Sequence, residues 1–96
     1  MTGSVTRILL IEKLESSERN ASFSARCHAG VLHVGDSLRV ATDPEGTRHQ
    51  VNVRCTGIRL SGSLLVDELE TNYGGLVTLE GTGVSALSSD WTLCSE

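Results

Sequence analysis

Aromatic side chains are nearly missing from this chain, which holds one Phe, one Tyr and one Trp in 96 residues. Its core must therefore be built mostly from Val, Leu and Ile. It also has no row of rings on which nucleic-acid bases could stack. No run approaches the roughly 20 apolar residues of a membrane-spanning helix. Ile8-Leu9-Leu10-Ile11 stops at Glu12, too short even for the apolar region of a signal peptide, so a cytoplasmic chain with no membrane partner is expected. No GxxxxGK[ST] phosphate loop occurs, so no nucleotide and no other cofactor is expected. No CxxC pair occurs among Cys27, Cys55 and Cys94. Cys27 and Cys55 fall on inward strand parity, and all three read as reduced structural thiols. Basic residues are missing after Arg59.

Charge is therefore split along the sequence. Residues 19–59 carry six arginines and a net +3, residues 60–96 six acids and a net −6, and residues 1–18 a net −1. The total of −4 argues against binding along extended duplex nucleic acid. Ninety-six residues make one domain with one modest core, so 1–96 is read as a single unit.

What is present is alternation. Residues 22–28 place Phe23, Ala25 and Cys27 on one face and Ser22, Ser24, Arg26 and His28 on the other. Gly30, Gly35 and Asp36 then punctuate a structural turn, after which Leu38 and Val40 share a face and Arg39 points away. Alternation on both sides of such a turn predicts a β-hairpin. Further strands are predicted over 5–14, 50–56, 76–80 and 91–93. In the fourth strand, Val51, Val53 and Cys55 face inward and Asn52 and Arg54 outward, with a bend at Gly57. Asp43-Pro44-Glu45-Gly46 forms a turn. No 3.6-residue apolar stripe supports a long helix. The fold class is all-β: a small, closed or nearly closed antiparallel barrel of about six or seven strands. Closure removes the sheet edges that would otherwise invite pairing with other chains.

The order of these features resembles the second domain of translational GTPases, the β-barrel of elongation factor Tu and its relatives. Ala25-Arg26 stands where that family has Gly-Arg, and residues 30–38 match its Gly-x-Leu-x-x-Gly-Asp turn. Gly46 and residues 50–55 resemble the next loop and strand. Residues 71–81 are a looser counterpart of Ala-Gly-Asp-x-Val-Gly-Leu-x-Leu-x-Gly, and residues 89–93 resemble the final strand. The resemblance spans about residues 7–94. Asn20 and Asn72 replace common glycines, and both residue types tolerate positive φ; Tyr73 replaces the usual Asp. The resemblance implies the barrel fold, and without a phosphate loop it implies no GTP chemistry. In elongation factor Tu the barrel helps hold the aminoacyl end of transfer RNA, and in other members it touches ribosomal RNA or protein. The loops that make those contacts do not match here, so no contact residue carries over.

Catalysis and metal binding find little support. His28, His33 and His49 are the only histidines. Cys27 and His28 are adjacent and so face opposite ways. His49 and Cys55 would lie roughly 20 Å apart along one strand. Metal sites need three or four converging ligands, and nucleophilic sites need an oriented base. No enzyme activity and no metal are expected. The binding candidates are Arg26, His28, Arg39 and Arg54, which would share an outer face if their strands are neighbours. Such a patch suits phosphate, an RNA end or an acidic protein surface. The reading is a stand-alone, non-catalytic binding module acting on a protein or ribonucleoprotein partner. The alternative is a small acidic inhibitor or immunity-type protein that masks a basic site with Asp67, Glu68 and Glu70. Self-association through an incompletely closed barrel edge is also open.

Overall fold

The computed structural model describes residues 5–95. Strand periodicity dominates them. β1 (Arg7–Ser16) and β2 (Asn20–Ala29) form a long antiparallel pair. β2 buries Ala21, Phe23, Ala25 and Cys27 and turns the residues between them outward, the alternation its sequence dictates. A two-residue β3 (Leu32–His33) follows, then β4 (Ser37–Thr42) and the long β5 (Arg48–Leu60). β6 (Leu64–Val66) folds back on β5, and β7 (Glu68–Leu69) pairs with β3. β8 (Gly74–Thr82) and β9 (Thr92–Cys94) complete the set.

The order β4-β9-β1-β2-β8-β5, with β5 pairing back onto β4, closes a six-stranded antiparallel barrel; β6 is an extra strand on β5. Closure requires bending, and the register shifts supply it: at Leu10/Glu12 and Lys13/Glu15 on β1, Leu38/Val40 on β4 and Cys55/Gly57 on β5. Gly57, predicted to bend its strand, lies at the last of these. A six-stranded interior has room only for side chains. Phe23, Leu10, Val53, Val77, Leu79 and Leu93 fill it and are at most 1% exposed. Leu32 and Leu69 close one end, while Val84 and Leu87 close the other. Among the described residues no helix is long and apolar enough to cross a membrane.

Two sequence expectations are corrected. The turn over residues 30–36 does not join a hairpin: β2 pairs with β1 and β8, and β4 pairs with β9 and β5. The chain instead passes through β3 across the barrel end, so the strands on either side of the turn are not neighbours. Asn20 does not take positive φ but opens β2; Asn72 does, at φ 75°.

The β4–β5 connection shows how one acid shapes a loop. Asp43 accepts the N–H groups of Glu45 (3.0 Å) and Thr47 (2.9 Å), and its other oxygen meets His49 Nε2 at 2.9 Å. The His49 hydrogen bond, then that from Thr47, holds the Asp43 carboxyl below its ordinary range. His49 in turn stacks on Trp91, with centroids 4.9 Å apart.

The thiols carry the first prediction. Burial pushes the Cys55 thiol up to about 11, and burial also raises Cys27, whose Sγ lies 3.3 Å from the Gly30 carbonyl. A buried neutral thiol is a poor nucleophile. Cys94 is half-buried at the outer wall. Titration of the native protein with a disulfide reagent should give one fast thiol, with the other two appearing only on denaturation. Two or three fast thiols in the native protein would contradict this packing.

Candidate binding surface

Charged residues normally dominate the outward positions of a strand, where water covers them. One sector of this barrel departs from that pattern. The register sets rows across β1, β2, β8, β5 and β6. One row reads Glu12, Ser24, Leu76, Arg59, Leu65. The row beside it reads Leu9, Arg26, Gly74. On the other side stand Glu15, Ser22, Thr78 and Gly57. Ser, Thr and Gly keep the middle of the sheet low. Ile11 and Leu14 on β1 and Leu65 on β6 border it, 45%, 49% and 69% exposed. The result is two adjoining depressions of about 470 Å³ each, both lined by Arg59 and Leu76. Together they form a trough over the outer wall.

Arg26 lines one of the two depressions, and Arg59 lines both. They stand on either side of β8, two strands and two residues apart, or about 12 Å between Cα atoms. Both side chains are long enough to meet over Gly74. The ion pairs among the described residues are His33–Asp36, His33–Glu68, His49–Asp43 and Arg54–Glu80; Arg26 and Arg59 join none of them. Two unpaired guanidinium forks beside aliphatic walls suit a carboxylate or phosphate attached to an apolar group.

The other sequence candidates lie elsewhere. The expectation that Arg26, Arg39 and Arg54 share a face required neighbouring strands, and β8 stands between β2 and β5. Arg26 is opposite Gly74 of β8 and Arg54 opposite Glu80, a separation of roughly 20 Å along that strand. Arg54 is paired with Glu80 at 3.4 Å, an exposed ion pair of about 0–1 kcal/mol. Arg39 lies near Arg54, beside Gln50, Asn52 and Thr82. His28 is exposed at the far end of β2 from Arg54.

The acidic residues Asp67, Glu68 and Glu70 are all exposed, on and beside β7. Glu68 meets His33 Nε2 at 3.3 Å, while Asp67 and Glu70 are exposed on either side of β7. Asp36 accepts the His33 N–H at 2.8 Å, and Gly35 at φ 102° donates to the Cys55 carbonyl. At Gly30, φ is 68° and a Cβ would lie 2.8 Å from the Val5 carbonyl oxygen, so glycine is required by both conformation and space.

Sequence reading missed Arg59, Leu76, Ile11, Leu14 and Leu65 as surface partners. The signal was faint: small residues Ser22, Ser24 and Gly57 at outward positions of otherwise regular strands.

The arrangement defines a class, the closed antiparallel barrel that translation factors of the elongation factor Tu type carry as their second domain. The chain superposes on translation elongation factor SelB from Methanococcus maripaludis, in its apo form at TM-score 0.72 and in complex with the GTP analogue GppNHp at 0.73. In each case identity is 15%, and the match covers 96% of this chain and 19% of the SelB chain. The chain thus spans about a fifth of the length of that elongation factor. No family model and no curated protein matches the sequence.

Proposed function

We propose that this barrel is a non-catalytic binding module of the translation-factor type that holds a protein or ribonucleoprotein partner against its outer wall. The observation that carries the reading is the likeness, over 96% of the chain, to the barrel of an elongation factor. The trough supplies the surface, with Arg26 and Arg59 as the charged contacts. The sequence lacks a phosphate loop, so GTP chemistry is not assigned to these residues. A module that contributes contacts rather than chemistry needs one rigid face, and the barrel wall provides it.

The test is affinity capture from native cell extract at two salt concentrations, with protein and RNA identified. Reversing charge at Arg26 and Arg59 together should reduce retention of ribosomal components or transfer RNA by about tenfold or more, as expected for losing two charged contacts. Reversal at Arg39 and Arg54, on a different part of the wall, should leave it unchanged. Retention of a single basic protein without RNA, lost on reversing Asp67, Glu68 and Glu70 but not the arginines, would overturn the reading in favour of an inhibitor.

A further inference from the structure

On the far side of the ring from the trough, β9 stands between β1 and β4. Outward residues form two neighbouring rows there. One runs Arg7, Cys94, Val40 across β1, β9 and β4, and the other runs Thr92, Thr42, Arg48 across β9, β4 and β5. No register shift falls within these pairings. The four middle residues are half-buried, and the two arginines, at opposite corners, are exposed. All six line a depression of about 470 Å³, a size within the range of small-molecule sites. Three strand spacings and two residues separate Arg7 from Arg48, about 16 Å between Cα atoms. Side chains leaning inward from that distance leave room for one small anion between their guanidinium groups. Neither arginine joins an ion pair among the described residues. Asp43, which follows Thr42, is engaged by His49 and by the N–H groups of its own loop. Glu45, the other acid of that loop, is exposed and forms no ion pair among the described residues.

We propose that this depression is a binding site for a small phosphate monoester, clamped between Arg7 and Arg48. The count of free oxygens selects the group. A guanidinium fork engages two oxygens at once. A carboxylate or a phosphodiester has two free oxygens and satisfies one fork. A monoester has three, so two forks grip it from opposite sides by sharing one. It also carries close to two negative charges at neutral pH, which two arginines balance. Thr42 and Thr92 bring hydroxyl groups to the floor, and Val40 and Cys94 give the body of the ester an apolar surface. Side chains build the whole site, so it needs no phosphate loop. This inference stands apart from the proposed translation-factor role, uses a different wall of the barrel, and survives the failure of that role.

Calorimetric titration of the full-length chain with phenyl phosphate tests it, beside methyl phenyl phosphate, benzoate and inorganic phosphate. The monoester should bind about tenfold or more tightly than the diester or the carboxylate, which lose one of the two forks. It should also outbind inorganic phosphate, which has no body to cover Val40 and Cys94. A second readout is the thiol in the floor: saturating phenyl phosphate should slow the reaction of Cys94 with a neutral disulfide reagent. Arg7→Gln and Arg48→Gln should each weaken binding by about tenfold. Arg39→Gln, on β4 but outside the depression, should leave it unchanged. All three arginines are exposed, and thermal melts confirm that each variant folds. No binding by about 10 mM phenyl phosphate overturns the proposal. Equal binding of the monoester, the diester and benzoate also overturns it, as does equal weakening by Arg39→Gln, because either result shows only general attraction to a basic wall. Inorganic phosphate binding as tightly as the ester, or a Cys94 that reacts at the same rate in its presence and absence, overturns it as well.

Discussion

Gly81→Ala should destabilise the barrel by about 3–4 kcal/mol, a large share of the 5–15 kcal/mol that typically holds a domain together. Gly81 has φ 136°, a conformation side chains rarely adopt, and its N–H donates to the Arg19 carbonyl at 2.9 Å. A Cβ there would press into the Asn52 carbonyl oxygen and lie 3.0 Å from Val53 Cα, both backbone atoms of β5. Neither can swing aside as a flexible side chain would. Relief requires moving β8 from β5, along the seam where Val53 faces Gly81. Gly46 is the control. It also has positive φ, 91°, but a Cβ at that position would meet nothing within 4 Å, so Gly46→Ala carries only the conformational penalty of about 1 kcal/mol. Thermal melts should place Gly81→Ala about 10 °C or more below Gly46→Ala. Equal melting temperatures would mean the close β5–β8 approach is not as described.

Phe23→Ala should cost about 3–5 kcal/mol. Phe23 is the only phenylalanine and is fully buried in the barrel. Its strand neighbours are Lys13 on β1 and Val77 on β8. The Lys13 ammonium stands 5.9 Å from the ring centroid while donating to the Leu87 carbonyl at 2.7 Å. That fixed amine ties β1 to the turn that plugs the barrel end, so the surroundings cannot collapse freely into the space a missing ring leaves. Phe23→Leu retains most of the volume and should cost less than half as much. Urea unfolding reads both. A Phe23→Ala midpoint within error of the parent would show that the ring is not central to the core.

The strands were legible because burial on one face writes a period of two into sequence. Phe23, Ala25 and Cys27 announce β2, and Val51, Val53 and Cys55 announce β5. Closure into a barrel and the likeness to translation-factor second domains also followed from the sequence. Strand adjacency did not. Alternation says which way a side chain points but not which strand lies beside it. The glycines at 30 and 35 look the same whether the chain reverses tightly or crosses the barrel end, and here it crosses through β3. That one ambiguity left open which arginines stand side by side. Arg26 shares a face with Arg39 and Arg54 only if their strands are neighbours; β8 separates β2 from β5, and the base nearest Arg26 across it is Arg59, 33 residues later in sequence. The pairing of Glu80 with Arg54 was hidden for the same reason.

Backbone amide chemical shifts, followed as the captured partner is titrated into isotopically labelled protein, map the partner's footprint on the barrel wall. Binding in the trough predicts the largest changes at Ser24, Arg26, Arg59, Leu76 and Thr78, across β2, β8 and β5. Changes confined to Asp67, Glu68 and Glu70, with the trough silent, would contradict it.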